Sequence, residues 1–239
     1  MPSIDTTRVV VPAAGPELLW SGRVSQLEAE AAGWAHILDA TEQRRLAALR
    51  RAEDRGRYLL AHVTLRQLLA DRLAVPPAEV VIGRRPCTGC GGPHGRPVVP
   101  GDPVHFSLSH SGDMVLIALA RNAVGVDVEA VPPAEAVREL YAHMHPRERA
   151  ELAALPAADR PAAFARCWSR KEAFLKATGA GLTEDPSVTY VGAGAHPAHP
   201  AGWRLSDLPT VPGYAAALTL RTDAALSPQQ VPVRPRPAA

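Results

Sequence analysis

The chain has 239 residues, of which 46% are apolar and 21% charged, and its formal net charge of +2 gives no argument for nucleic-acid binding. This length suits one large domain or two small ones with a sizeable buried core. There is no apolar run of the roughly 18 residues that a membrane span needs, and no start typical of a signal peptide. Three cysteines, an odd number, do not describe a disulfide framework. We therefore expect a cytoplasmic protein, and the lack of a membrane span predicts no membrane partner.

The first half of the chain combines helical and strand-like patterns. Asp39 or Thr41 can cap a first helix, and a longer helix is predicted from Ala52 to the residue before Pro76. Strands are expected at residues 80–82, 104–110, 114–120 and 124–130.

The last two of these strands are joined by residues 121–123 alone, which predicts that they form a hairpin. Asp127 and Glu129 lie two positions apart on the returning strand, so both carboxylates project from one face. Oxygen ligands of this kind suit Mg²⁺, which takes one or two carboxylates together with water and phosphate oxygens. A solvated strand face is the alternative interpretation.

The second half repeats the mixture of helices and strands. Helices are predicted after Ala134 and after Pro146, and a strong helix is capped by Asp159 and terminated by Gly179. Strands are expected at residues 188–191 and 214–220, and residues 222–239 are expected to be a disordered Pro-rich tail. The two halves therefore suggest two similar lobes.

Only two of the 26 cationic side chains are lysines, and both flank Glu172 on the strong helix. Lys176 lies one turn from Glu172, whereas Lys171 follows the apolar stripe of the helix. A carboxylate here can complete a metal site or accept a proton, and an ammonium group can neutralise charge on a phosphate. An ordinary surface ion pair is the alternative.

Two further groups of residues suit phosphate binding. Ser109 and His110 are neighbours on a strand and point to opposite faces, so they cannot act as a nucleophile–base pair, but hydroxyl, imidazole and a glycine turn suit phosphate. Arg57 and Arg96 can each hold a phosphate as a bidentate donor, although a surface position is the default for an arginine. A structural role is the alternative for His110.

Taken in chain order, these pieces resemble the 4′-phosphopantetheinyl transferases of the monomeric surfactin-synthetase-activating type. The resemblance covers about residues 38–220 and rests on Arg57, Gly-Arg96-Pro, Phe-Ser-Leu-Ser-His-Ser, Gly-Val-Asp-Val-Glu and Trp-Ser-Arg-Lys-Glu-Ala-Phe-Leu-Lys. It implies transfer of phosphopantetheine from coenzyme A to a serine hydroxyl of a carrier protein, with release of adenosine 3′,5′-bisphosphate.

The resemblance also implies a role for each site residue. Mg²⁺ would be held by Asp127, Glu129 and Glu172, and Glu172 would also be the base for the incoming serine. Lys176 would stabilise the departing bisphosphate. The contacts to coenzyme A would come from Arg57, Arg96, Ser109, His110, Lys171 and Lys176.

The implied fold is α+β, with two similar lobes related by a pseudo-twofold axis and the active site in the cleft between them. The lobes would be residues 1–122 and 123–221, and an acidic acyl or peptidyl carrier protein would dock near residues 131–144. Two other functions stay open. One is a non-catalytic module that binds coenzyme A or the carrier, and the other is an Mg²⁺-dependent nucleotide phosphohydrolase.

One motif lies outside this pattern. Cys87 and Cys90 form a Cys-x-x-Cys-Gly sequence that resembles one half of a zinc knuckle, and His94 is a candidate third ligand. A structural zinc site normally has four protein ligands, and no nearby second pair supplies them. We therefore expect a Gly-rich loop with reduced thiols, and a zinc site is the alternative.

Overall fold

The computed structural model describes residues 15–87, 89–93, 95–181 and 184–222. His94 and residues 223–239, which include nearly all of the predicted Pro-rich tail, lie outside the described residues. Within the described part, helices and strands are mixed along the chain, and no helix is both long and apolar enough to cross a membrane.

In chain order the elements are β1 (Leu18–Arg23), α1 (Val24–Gly33), α2 (Ala40–Ala48), α3 (Ala52–Leu73), β2 (Gly83–Arg84), β3 (Pro97–Val98), β4 (His105–Ser111), β5 (Met114–Ala120), β6 (Val124–Ala130), α4 (Ala134–Leu140), α5 (Pro146–Ala153), α6 (Arg160–Thr178), β7 (Trp203–Asp207) and β8 (Tyr214–Arg221). One antiparallel sheet has the strand order β1-β5-β4, and a second has the order β6-β8-β7. Strands β2 and β3 form a separate two-stranded ribbon.

Strand β5 lies at the centre of the first sheet and all seven of its residues are buried. Alternate side chains face opposite layers, as the two-residue period of a strand requires. Val115 and Ile117 pack in the cluster that includes the apolar face of α3, whereas Leu116 and Ala118 pack against the second sheet. A third apolar cluster joins α6 to the elements around it.

The predicted hairpin of β5 and β6 is wrong, although the bounds of both strands are confirmed. Strand β5 already pairs with β1 on one side and β4 on the other, so neither of its edges remains for β6. Strand β6 instead pairs with β8, with Asp127 opposite Ala217. The chain therefore passes from the first sheet to the second at residues 121–123.

Most predicted helices are confirmed. Helix α2 is capped by Asp39, whose carboxylate accepts hydrogen bonds from the N–H groups of Thr41 and Glu42. Helix α6 ends at Gly179, which has a φ of 78°, a value that glycine adopts without strain. The strands expected at residues 80–82 and 188–191 do not form, and β1 and β7 were not predicted.

Helix α6 crosses β6 at a distance that only glycine permits. A Cβ atom on Gly125 would lie 1.9 Å from the carbonyl oxygen of Ala173 and 2.5 Å from the amide nitrogen of Ala177. Both neighbours are helix backbone, which cannot move aside as a side chain can. This close approach brings the helix face that carries Glu172 and Lys176 against the strand that carries Asp127.

We predict that Gly125→Ala lowers the free energy of unfolding by ~1–3 kcal/mol or more, because the added methyl group overpacks the contact between α6 and β6. Urea unfolding measures the change. The control is Gly33→Ala in α1, where a Cβ atom would meet nothing within 4 Å and no loss of stability is expected. Equal unfolding midpoints for the two variants would contradict this account of the packing.

Candidate active site

The two sheets meet along the edges of β4 and β6, and serine side chains make the connection. Three serines of β4, spaced two residues apart, accept hydrogen bonds from alternate backbone N–H groups of β6. The pairs are Val126 with Ser107 at 3.0 Å, Val128 with Ser109 at 3.3 Å and Ala130 with Ser111 at 3.1 Å. We call Ser107, Ser109 and Ser111 the serine seam. It supplies hydrogen-bond acceptors for the backbone N–H groups on the edge of β6 that does not pair with β8.

Asp127 lies at the centre of this joint and is only 1% exposed. Its Oδ1 accepts hydrogen bonds from Lys176 Nζ at 2.6 Å and from Ser109 Oγ at 2.8 Å. Its buried Oδ2 has no hydrogen-bond partner among the described residues. Burial raises the pKa of Asp127, while Lys176 acts in the opposite direction. Oδ2 is thus a buried oxygen without a hydrogen bond of good geometry, although Ser169 is close enough to lower the pKa of the carboxylate.

The charge of Asp127 affects the pKa values of two more carboxylates, Glu129 and Glu172. Burial and the negative charge of Asp127 raise the pKa of Glu129 to about 7, and the same two causes raise the pKa of Glu172. Lys176 lowers both pKa values. The structure therefore brings together the acidic strand and the lysine helix that the sequence analysis singled out.

The three carboxylates are not a ready-made metal cage. No three His, Cys, Asp or Glu side chains of residues 15–87, 89–93, 95–181 and 184–222 are arranged to hold a metal ion by themselves. One physical reason is that Lys176 occupies Oδ1 of Asp127. Mg²⁺ commonly takes one or two carboxylates and completes its shell with water and phosphate oxygens, and the unpartnered Oδ2 of Asp127 fits such an ion.

The structure does not support a phosphate contact from the Ser109 hydroxyl. This hydroxyl donates to Asp127 and accepts hydrogen bonds from the N–H of Val128 and from Lys176 Nζ, the latter at 2.9 Å. A hydroxyl has one donor and two acceptor lone pairs, so all of its capacity is used within the protein. The expectation for the Ser109 side chain is corrected accordingly.

The expectation for Lys171 is also corrected. Its Nζ lies 2.7 Å from Glu148 Oε2 and donates to the carbonyl oxygens of Pro186 at 2.8 Å and Thr189 at 2.7 Å. These three partners use its three N–H donors, and the residue is only 2% exposed. Lys171 therefore ties α6 to α5 and to the segment after α6, and it does not reach the carboxylates around Asp127.

Helix α6 thus presents its two lysines to different surroundings. The side chain of Lys176 is 30% exposed, and two of its three N–H donors are taken by Asp127 and Ser109. The remaining donor is available to an anionic ligand, which is the arrangement that a phosphate contact needs.

His110 lies near Lys176 and Arg57. Arg57, on α3, donates from Nε to the carbonyl oxygen of Gly112 at 2.9 Å. Desolvation of the imidazolium form lowers the pKa of His110. The positive charges of Arg57 and Lys176 lower it further. Arg57 and Lys176 therefore supply positive charge around His110, and the lowered pKa favours the neutral imidazole.

Arg96 lies at the other end of β4. Its Nη2 is 3.4 Å from His105 Nδ1, and burial and the neighbouring Arg85 lower the pKa of Arg96. Arg96 lines a pocket of about 670 Å³. Other residues that line this pocket are Arg85, His105, Asn122, Thr178, Trp203 and Arg221. The structure therefore separates Arg96 from Arg57, and it makes the Arg96 pocket cationic with an aromatic wall.

The Cys-x-x-Cys motif stays only partly described. Cys87 is buried and Cys90 is exposed, and hydrogen bonds from the backbone N–H groups of Cys90 and Gly89 lower the pKa of Cys87. His94 lies outside the described residues. The zinc alternative therefore stays an untested prediction.

Ser111 belongs to the Phe-Ser-Leu-Ser-His-Ser motif on which the resemblance rests, but its contact with Glu129 was not predicted, and neither was the contact made by Tyr214. Ser111 Oγ donates to Glu129 Oε2 at 3.0 Å, and the Tyr214 hydroxyl accepts a hydrogen bond from the N–H of Asp113 at 2.8 Å. The alternation of hydroxyl residues along β4 was a signal for Ser111. No local signal marks Tyr214, because it approaches from a strand 101 positions later in the chain.

Comparison with known proteins gives a consistent result. The sequence pattern of the 4′-phosphopantetheinyl transferase superfamily matches residues 123–203. The 4′-phosphopantetheinyl transferase HetI of Nostoc sp. is 30% identical over 173 residues, which is 70% of each chain. The chain belongs to this superfamily.

Other members of the superfamily match a smaller part of the chain. The 4′-phosphopantetheinyl transferase psf-1 of Bacillus pumilus is 35% identical over 132 residues, 54% of this chain and 53% of that protein. The 4′-phosphopantetheinyl transferase Sfp of Bacillus subtilis is 28% identical over 55% of each chain. The chain thus spans about half the length of these two relatives.

We predict that Lys171→Met lowers the free energy of unfolding by ~3–5 kcal/mol, because it leaves the carboxylate of Glu148 buried without its cation. Glu148 is 0% exposed. Denaturant unfolding measures the loss, and the double variant with Glu148→Gln should regain part of it. A single variant as stable as the unaltered protein would exclude this role for Lys171.

We also predict that Glu129 contributes stability to the metal-free protein that is lost as the pH rises from about 4.5 to about 7. Glu129 has an ordinary pKa of 4.5 and a folded-state pKa of about 7, so the folded state holds a proton that the unfolded state releases in this window. The stabilisation is complete below pH 4.5 and is lost above pH 7. Glu129→Gln should flatten the decrease measured by urea unfolding, and parallel curves for the two proteins would refute the assignment.

Proposed function

We propose that the protein transfers 4′-phosphopantetheine from coenzyme A to a serine hydroxyl of an acyl or peptidyl carrier protein in an Mg²⁺-dependent reaction. The observation that carries this proposal is the contact of 2.6 Å between Lys176 Nζ and Asp127 Oδ1. It joins the acidic strand to the lysine helix and leaves a cation donor and a carboxylate oxygen for a ligand. The membership of the superfamily supports the same activity.

Asp127, Glu129 and Glu172 are the residues that would hold Mg²⁺. Bound there, the ion supplies positive charge to the pyrophosphate of coenzyme A. The electrostatics of the three carboxylates support this assignment, because burial raises all three pKa values and the charge of Asp127 raises those of Glu129 and Glu172, so a bound cation would stabilise their charged forms. In this proposal the carrier protein supplies the serine nucleophile.

Glu172 is the proposed base. Burial and Asp127 raise its pKa, which makes it a better proton acceptor near neutral pH. It takes the proton of the serine hydroxyl while the serine oxygen bonds to the phosphorus that carries pantetheine. The bond from that phosphorus to the oxygen of the adenosine bisphosphate breaks, and the electron pair leaves with adenosine 3′,5′-bisphosphate. Lys176 neutralises the charge that develops there.

The nucleotide end of coenzyme A has two candidate contact regions. His110 and Arg57 border the carboxylates and suit phosphate oxygens. The Arg96 pocket, with cationic residues and Trp203, suits the adenine ring and the 3′-phosphate.

We further propose that residues 1–122 and 123–221 form two lobes related by a pseudo-twofold axis, with coenzyme A between them. The two three-stranded antiparallel sheets support this division, since one sheet uses strands up to Ala120 and the other begins at Val124. The serine seam and the Arg96 pocket both lie where the two sheets meet.

An acidic carrier protein is the proposed partner of a monomeric enzyme, with docking near residues 131–144. This segment contains α4 and the turn after it. Met144 is 0% exposed, and Leu140 and Tyr141 pack partly against the apolar cluster around α6. Met144 is therefore a core residue, and a carrier would contact the exposed residues of α4 beside it.

The test is the mass of an apo-carrier protein after incubation with this protein, coenzyme A and Mg²⁺. We expect Asp127→Ala and Glu172→Gln to lower turnover by about 100-fold or more, because they remove groups that act on the reacting phosphate. Lys176→Ala should lower turnover more than Lys171→Ala does in the fraction that stays folded. Asp71→Asn, on the exposed surface of α3, is the matched control and should leave turnover unchanged.

Full activity in both carboxylate variants would overturn the proposal. Release of adenosine 3′,5′-bisphosphate without a carrier protein, at the rate seen with a carrier, would instead identify a phosphohydrolase. Binding of coenzyme A without turnover on any apo-carrier would identify a non-catalytic module.

A further inference from the structure

We propose that Ser111 is a positioning residue that orients Glu129 towards the Mg²⁺ site. The inference rests on the proposed function and adds a residue to it. Ser111 follows His110 and touches none of the groups proposed to bind coenzyme A. Among the described residues, the hydrogen-bond partners of the Ser111 side chain are Glu129 and the N–H of Ala130, and both belong to β6.

The hydrogen bonds of Ser111 determine the direction of its proton. The hydroxyl accepts the N–H of Ala130 at 3.1 Å and donates its single proton to Oε2 of Glu129 at 3.0 Å. Because the backbone N–H occupies one lone pair, the side chain is held in the rotamer that directs its proton to the carboxylate. Oε1 of Glu129 is the oxygen that Ser111 does not engage.

Glu129 needs such a partner because burial and the nearby charge of Asp127 disfavour its carboxylate at this place. It is partly exposed and lies two residues from the buried carboxylate of Asp127, which repels it. A glutamate with three rotatable side-chain bonds can turn towards solvent to lower this repulsion. The bond from Ser111 holds one oxygen of Glu129 on the side of β6 that faces β4.

The backbone that carries Ser111 is held from several directions. The carbonyl oxygen of Gly112 accepts a bond from Arg57 of α3, and the N–H of Asp113 donates to the Tyr214 hydroxyl of β8. A Cβ atom on Gly112 would lie 2.3 Å from that hydroxyl, so the turn after β4 is in close contact with Tyr214 of β8. The Asp113 carboxylate accepts bonds from the N–H and the hydroxyl of Ser25. A firmly held backbone is what a positioning residue requires.

The serine seam contains its own control. Ser107 accepts the N–H of Val126 at 3.0 Å in the same way as Ser111 accepts the N–H of Ala130, but Ser107 makes no hydrogen bond to a carboxylate of the described residues. Removing either hydroxyl takes away one contact between the sheets. Only the loss of the Ser111 hydroxyl also removes a partner of Glu129.

The experiment is calorimetric titration of Mg²⁺ into the full-length protein saturated with coenzyme A and without a carrier protein. Ser111→Ala should weaken Mg²⁺ binding by about tenfold or more, the usual result of removing a residue that orients a metal ligand. Ser107→Ala should bind Mg²⁺ as the unaltered protein does, with a similar loss in its thermal midpoint. Ser111→Thr keeps the hydroxyl and should restore binding. With carrier present, added Mg²⁺ should recover the turnover of Ser111→Ala.

Unchanged Mg²⁺ affinity in Ser111→Ala overturns the inference, and so does equal weakening by Ser107→Ala, which would mark a general loss of structure. Failure of Ser111→Thr to restore binding overturns it as well. In each of these cases phosphopantetheine transfer by the unaltered protein leaves the proposed function standing. If the unaltered protein neither binds Mg²⁺ nor modifies a carrier, the proposed function itself fails.

Discussion

The carboxylate of Asp127 is buried where two sheets and a helix meet. One of its oxygens accepts hydrogen bonds from a residue of the other sheet and from a residue of the helix. Lys176 reaches it from α6 and Ser109 reaches it from β4, while its backbone belongs to β6. A buried charge is costly unless it is paired and hydrogen-bonded, so this carboxylate is tolerable only with all three elements in place. The same contact therefore stabilises the fold and assembles the candidate site.

Two local features make that contact possible. Gly125 lets the backbone of α6 approach β6 within a distance that any side chain would block. The serine seam closes the other edge of β6 by hydroxyl groups, so that β6 belongs to the second sheet and still touches the first. The polar joint leaves carboxylates and hydroxyls at the boundary of the sheets, where a purely apolar joint would have excluded them.

The two lysines illustrate how neighbouring positions on one helix acquire different roles. Lys171 and Lys176 are five residues apart, which is not a whole number of helical turns, so they emerge on different faces. The face of Lys171 is covered by α5 and the following segment, and its ammonium is fully satisfied there. The face of Lys176 lies over β6 and remains partly open. Burial, rather than charge, separates their roles.

The sequence by itself determined the bounds of β5 and β6, the long helices and the presence of Asp127, Glu129, Glu172 and Lys176 on two regular elements. These features follow from local periodicity and from capping residues, which act over a few positions. Only the tertiary structure decided that β6 pairs with β8 and not with β5, that the Ser109 hydroxyl is fully occupied, and that Lys171 is buried. Those outcomes depend on which distant strand or helix fills each edge and face, and that choice is made by long-range packing.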